Sequence, residues 1–246
     1  MLENHEGQHV PDVTFKVREG SNWKDVTTKD LFAGKNVAVF SLPGAFTPTC
    51  SGSHVPRFND LAPIFKENGI DSIVCFSVND TFVMNEWKKD QHADNITFVP
   101  DGNGEFTEKM GLLVDKNNLG FGKRSWRYSM IVRDSVIEKM FIEPQVDGDP
   151  FEVSDADTML KFINPEAKTK DYVTIFTKED CSFCNKAKAL LHEHNMPYEE
   201  VKLGNSVTSR SLLAVSGSKT TPQVFIGGKL IGDSVALEAY FKNTTK

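Results

Sequence analysis

Hydrophobic and polar positions fall along this chain in two successive patterns of short strands and helical stripes. Val13-Thr14-Phe15-Lys16-Val17 alternates apolar with polar residues as a half-buried strand does, so residues 10–31 read as strands and a turn. Gly34 and Asn36 mark the next turn, and Val37-Ala38-Val39-Phe40 is a continuous apolar run that predicts a buried strand. Phe58, Leu61, Ala62 and Phe65 then recur at the spacing of one helix face. Ile73-Val74-Cys75-Phe76-Ser77-Val78 predicts a central strand. Asn79-Asp80 opens a helix whose Phe82, Val83 and Trp87 are expected in the core, and Ile96-Thr97-Phe98-Val99 predicts a strand closed by the turn Pro100-Asp101-Gly102-Asn103-Gly104. Residues 113–123, rich in Asn, Gly and Lys, read as a loop. Strands at 128–132 and 136–142 are expected to pair as an antiparallel hairpin at the sheet edge. Ser154 is placed to cap a last helix carrying Met159, Leu160, Phe162 and Ile163, which Asn164-Pro165 stops.

The composition then shifts to Pro, Glu, Lys and Thr with almost nothing apolar, which predicts a linker at 165–170. A second pattern follows: a strand at Tyr172-Val173-Thr174-Ile175-Phe176, a helix with Ala187, Leu190 and Leu191 on one stripe, a strand at 198–203 and a helix at 206–215. Val224-Phe225-Ile226 and Lys229-Leu230-Ile231 make a hairpin around Gly227-Gly228, and residues 234–241 a closing helix. The alternation of strands and helices predicts an α/β protein of two domains, 1–164 and 171–246, each a mixed central sheet flanked by helices.

Length agrees, since 246 residues exceed the usual size of one domain. With 39% hydrophobic and 25% charged residues and a net charge of -6, neither disorder nor a nucleic-acid partner is indicated. No apolar run reaches the ~18 residues of a membrane helix, and the polar Met1-Leu2-Glu3-Asn4-His5-Glu6 is unlike a signal peptide, so a cytoplasmic location with no membrane partner is expected. Four cysteines are too few for a disulfide framework, and the close pair among them points to redox or metal work.

The chemistry concentrates at Pro43-Gly44-Ala45-Phe46-Thr47-Pro48-Thr49-Cys50, between a predicted strand and a predicted helix. A cysteine at a helix N-terminus meets unpaired N–H groups and the positive end of the helix dipole, which favour a nucleophilic thiolate. The same argument applies to Cys181-Ser182-Phe183-Cys184, where Cys181 heads a helix and Cys184, one turn inside, can close a short disulfide onto it. Lys178 lies near enough to stabilise a thiolate or pair with a carboxylate. A zinc site at the pair would need two further ligands, and His192 and His194 read better as a solvated helix face, so no metal is expected. His54 either tunes Cys50 or faces water, and facing water is the preferred reading.

The octapeptide resembles the active-site motif of the peroxiredoxins, its Ala-Phe-Thr form the peroxiredoxin 5 subfamily, and Trp126-Arg127-Tyr128-Ser129-Met130 resembles the strand that supplies that family's arginine. The resemblance implies that Cys50 attacks the peroxide, that Thr47 donates a hydrogen bond to thiolate and peroxide, that Pro43 shields the pocket and that Arg127 stabilises charge. Taken singly, Cys50 could be a small buried residue and Arg127 a surface one; taken together, they favour catalysis. Residues 172–241 resemble glutaredoxin through the Cys181 motif, Thr220-Thr221-Pro222-Gln223-Val224-Phe225 and Gly227-Gly228-x-x-Ile231-Gly232. That likeness implies a thioredoxin fold in both domains and a glutathione site formed by Lys178, Thr221 before a cis Pro222, and backbone N–H groups around Ser234. Ser182-Phe183 replaces the commoner Pro-Tyr, and Val235-Ala236 stands where the family has an Asp pair, unless Asp233 substitutes.

As a whole the chain resembles the bacterial hybrids of the two families, which implies a peroxidase with no bound cofactor that uses glutathione as co-substrate. Cys50 would be oxidised by hydrogen peroxide or an alkyl hydroperoxide and recycled through Cys181 and Cys184. Cys75, in an apolar strand pattern, reads as structural, although some plant relatives carry a resolving cysteine there. The family likeness also implies a homo-oligomer. The alternative is a peroxide sensor that relays oxidation to a partner protein through the Cys181 pair.

Overall fold

The computed structural model describes residues 2–169, 171–194 and 196–244. They form two compact units, Met1–Thr169 and Lys170–Lys246.

The first unit begins with β1 (Thr14–Glu19) and β2 (Asn22–Thr27), an antiparallel pair, followed by α1 (Thr28–Phe32). Thr27 and Asp30 form a capping box at the start of α1, a five-residue helix below the length at which hydrophobic spacing is readable. The chain continues through β3 (Asn36–Ser41), a π-helical turn Cys50–His54, α2 (Val55–Asp60), α3 (Ala62–Glu67), β4 (Ser72–Ser77), α4 (Thr81–Asp90), β5 (Ile96–Pro100) and α5 (Glu105–Lys109). The stretch expected to be a loop folds instead as β6 (Leu113–Asp115), a 3-10 turn and β7 (Lys123–Ser125). Strands of three residues are too short to show alternation. Then come β8 (Tyr128–Arg133), β9 (Val136–Ile142) and α6 (Ala156–Ile163).

β3, β4, β5, β8 and β9 make one mixed sheet in the order β5-β4-β3-β8-β9, with β3 at its centre, parallel to β4 and antiparallel to β8. Alternation on β3 sends Ala38 and Phe40 into one buried cluster and Val37 and Val39 into another on the opposite face. Phe40, Phe58, Phe65, Trp87 and Leu160 build the first cluster, which also contains Cys50 and Cys75. Each such side chain contributes about 1.5–3 kcal/mol by burial, so this layer fixes the helix that carries Cys50. Two expectations are corrected here. Phe82 is exposed and lies against Trp23 and Arg18, while Met84 and Trp87 supply the core side of α4. The cap of α6 is Asp155, which accepts the Thr158 N–H, because the N–H and hydroxyl of Ser154 are both taken by Glu143.

The second unit comprises β10 (Val173–Thr177), α7 (Ser182–Glu193), β11 (Glu199–Lys202), α8 (Ser209–Ser216), β12 (Gln223–Ile226), β13 (Lys229–Gly232) and α9 (Ser234–Thr244). Its sheet runs β11-β10-β12-β13, with β10 parallel to β11 and antiparallel to β12. Gly227 and Gly228 both have positive φ, as the tight turn of the β12–β13 hairpin requires. Val173, Ile175, Ala187, Leu191, Val224, Ile226, Leu237 and Phe241 form its core.

Candidate active site

The chain leaves β3 through Leu42 and Pro43 and enters a helix whose π turn starts at Cys50, which is completely buried. Three contacts pin the intervening loop. Asn79 Oδ1 accepts the Ala45 N–H at 3.1 Å, the Thr47 hydroxyl donates to the Gly44 carbonyl at 2.8 Å, and Ser51 N–H bonds Thr47 O. Phe46 holds φ at 61°, a left-handed conformation that is unusual and strained for a bulky residue, and its exposed ring lies against Trp87. The Trp87 indole N–H in turn donates to Ser51 Oγ at 2.9 Å. The Thr47 hydroxyl proton is directed at Gly44, not at Cys50 as expected, which leaves Oγ1 as an acceptor. Pro43 is half-buried beside this loop.

Arg127 immediately precedes β8, and its side chain is 1% exposed. Nη1 donates to Cys50 Sγ at 3.5 Å and to His54 Nδ1 at 3.2 Å, while Nη2 pairs with the Asp149 carboxylate. His54 is completely buried, correcting the solvent-facing reading, and its ring packs against Phe40, Phe58 and Phe151. Nε2 lies 3.1 Å from the Ser154 carbonyl, which can only accept, so Nε2 carries the proton and Nδ1 is free to accept from Arg127. Burial, then the Arg127 charge, hold the imidazole well below its usual titration range, so it stays neutral. The spacing of four residues from Cys50 places His54 on the same side of the helix, the one local signal that could have found it. Asp149, Ser154 and Glu143 have no such signal, since turns far along the chain bring them in.

Cys75 on β4 is a buried free thiol in the same apolar layer, and burial pushes its pKa well up, so it stays protonated.

In the second unit Cys181 is the N-cap of α7, its Sγ accepting the Cys184 N–H at 3.1 Å, and the two cysteines form a disulfide. Cys181 is 7% and Cys184 1% exposed, so Cys181 is the one an incoming thiol reaches. Thr221-Pro222 is a cis peptide, and Cys181 Sγ lies 3.8 Å from both the carbonyl and the hydroxyl oxygen of Thr221. Lys178 is exposed. Ser234, which opens α9, is buried. Asp233 Oδ1 accepts the N–H groups of both Val235 and Ala236, so two of the donors expected to receive a glutathione carboxylate already hold one. His192 and His194 are exposed.

A buried thiol touched by a guanidinium in the first turns after a central strand, and a Cys-x-x-Cys pair heading a helix, define a thiol-based redox protein. Sequence profiles carry this further: Redoxin matches residues 5–160 and Glutaredoxin residues 173–231. The chain belongs to the redoxin family as a peroxiredoxin, a peroxidase, with a glutaredoxin domain on its C-terminal side. It is 61% identical over 240 residues to a hybrid peroxiredoxin of Haemophilus influenzae, covering 98% of this chain and 100% of that one. A peroxiredoxin of Synechocystis is 56% identical over 169 residues, covering 63% of this chain and 89% of the relative. Among solved structures, reduced Prx3 of Vibrio vulnificus in complex with hydrogen peroxide superposes with a TM-score of 0.62 at 38% identity, covering 65% of this chain and 99% of that one. Peroxiredoxin 5 of Alvinella pompejana gives 0.58 at 31% identity, covering 67% and 100%. These neighbours place the first unit in the thioredoxin fold.

Proposed function

We propose that the protein is a glutathione-dependent peroxidase in which Cys50 reduces hydrogen peroxide and alkyl hydroperoxides and the glutaredoxin domain recycles it. The observation that carries the first half is the contact of Arg127 Nη1 with the buried Cys50 sulfur. A permanently charged guanidinium there favours the thiolate and meets the charge that develops on the leaving oxygen. The Cys50 thiolate attacks one peroxide oxygen: the S–O bond forms, the O–O bond breaks, and its electron pair leaves on the other oxygen, which takes a proton to become water or an alcohol. Thr47 Oγ1, its own proton engaged with Gly44, accepts the peroxide O–H and orients it, and Pro43 limits access of water.

The sulfenic acid left on Cys50 condenses with glutathione, releasing water and forming a mixed disulfide. The Cys181 thiolate attacks the glutathionyl sulfur, freeing Cys50 and taking the glutathionyl group beside Thr221 and Pro222. A second glutathione then releases oxidised glutathione from Cys181, or Cys184 displaces reduced glutathione and closes the Cys181–Cys184 disulfide. Joining the two domains in one chain raises the effective concentration of the reductant, to about millimolar for a short flexible tether that spans the sites.

The test is peroxide-dependent NADPH oxidation with glutathione and glutathione reductase as the only source of electrons, comparing the parent with Cys181→Ser. Turnover in the parent that collapses in the variant supports the relay. Equal turnover in both overturns the role of the glutaredoxin domain, and no turnover in either overturns glutathione dependence.

A further inference from the structure

We infer that His54 is a positioning residue for peroxide reduction, holding Arg127 at the Cys50 sulfur through a closed circuit of hydrogen bonds. The inference rests on the roles of Cys50 and Arg127 given above. The circuit runs from Arg127 Nη1 to His54 Nδ1 at 3.2 Å, from His54 Nε2 to Ser154 O at 3.1 Å, from Ser154 N–H to Glu143 Oε1 at 2.7 Å, and from Glu143 N–H back to Arg127 O at 3.1 Å. Every residue on it is buried. The guanidinium is thereby tied to its own backbone through three neighbours.

The other anchors of Arg127 are weaker. Asp149 sits on a loop with its side chain 43% exposed, where water and salt compete for the pairing. Arg127 Nε has no hydrogen-bond partner among the described residues. The two hydrogens of Nη1 divide between Cys50 Sγ and His54 Nδ1, so the imidazole sets where the remaining hydrogen points. A neutral acceptor suits this position. It orients the guanidinium without cancelling its charge, which stays available to the sulfur and the leaving oxygen, whereas a buried carboxylate would neutralise it. The ring is clamped by Phe40, Phe58 and Phe151, so it cannot follow a displaced arginine.

The test is stopped-flow oxidation of Cys50 by hydrogen peroxide in the full-length chain. His54→Leu is expected to slow the reaction about 10- to 100-fold, the cost of misplacing a catalytic group by about an ångström. His54→Asn, whose side-chain oxygen takes the place of Nδ1, is expected to recover the rate to within about 5-fold of the parent. In an Arg127→Gln background, adding His54→Leu is expected to cost less than about 2-fold, because the residue acts through Arg127. Should His54→Leu not fold, His54→Phe keeps a ring without the acceptor and takes its place. The inference is overturned if the acceptor-free variant reacts like the parent, if Asn recovers nothing while remaining folded, or if the two costs multiply. A parent that does not oxidise at Cys50 overturns the roles given to Cys50 and Arg127 as well, which a parent that reacts fast with an indifferent His54 does not.

Discussion

Ser154 is bound twice to a single oxygen of Glu143, through its N–H and its hydroxyl, both at 2.7 Å. The same carboxylate accepts the N–H groups of Glu152 and Val153, so one buried side chain organises the backbone between β9 and α6. Glu143→Ala strands these donors and is expected to destabilise the first unit by about 3 kcal/mol, at the upper end for unsatisfied buried groups. Urea unfolding followed by fluorescence measures it, and a loss under 1 kcal/mol contradicts the account.

Stability should also depend on pH through His54. The folded state keeps this imidazole neutral well below its usual range, while the unfolded chain takes up the proton near pH ~6.5. The unfolded state then binds more protons, so the contribution is complete above about pH 6.5 and is lost as pH falls below it, by up to ~1.4 kcal/mol per pH unit. Unfolding curves between pH 7.5 and 5 should be steeper in pH for the parent than for His54→Leu.

Arg127→Lys keeps the charge but loses the fork that meets Cys50, His54 and Asp149 together. Removing a donor aimed at developing charge costs about 10²- to 10³-fold in rate. Second-order oxidation of Cys50 by hydrogen peroxide should fall by that order in the variant.

The Cys75 thiol, buried and held protonated, should not react with a disulfide reagent until the protein unfolds. Cys75→Ala is expected to leave glutathione-supported turnover within about 2-fold of the parent, since a protonated thiol is a poor nucleophile. A collapse of turnover would make Cys75 the resolving cysteine.

Asp233 occupies the N–H groups of Val235 and Ala236 with its own carboxylate. Asp233→Gly removes the charge and frees both donors, at a cost of roughly a few tenths of a kcal/mol in helix capping. The KM for glutathione in the Cys181-dependent reaction should fall; an unchanged KM would place the glutathione carboxylate elsewhere.

The strands around Cys50 and the Cys-x-x-Cys helix were legible because each is a contiguous apolar run or a fixed local spacing. What the sequence hid is long-range. His54 looked like a lone surface histidine because its partners, Arg127 and Ser154, lie 73 and 100 residues away. The α6 cap was misplaced by one residue because Ser154 is claimed by Glu143, and Phe82 lies outside the core because α4 turns Met84 and Trp87 inward, leaving Phe82 exposed beside Trp23 and Arg18. Thr47, Cys181 and Thr221 stand where their motifs led one to look, yet the direction of the Thr47 proton and the self-capping of α9 by Asp233 depend on atoms no motif specifies.

The π turn at Cys50–His54 closes with Val55 N–H on Cys50 O, a step of five residues where an α-helix takes four. At roughly 100° per residue, the eight steps from Cys50 to Phe58 would leave them about 80° apart around an unbroken α-helix, whereas with one residue spliced in they differ by about 20°. The sulfur thus joins the buried seam of Phe58 by arithmetic of chain length. Straightening the turn into α-helix without removing a residue would swing the thiol out of that seam by about a quarter turn while leaving every side chain of the pocket in the sequence.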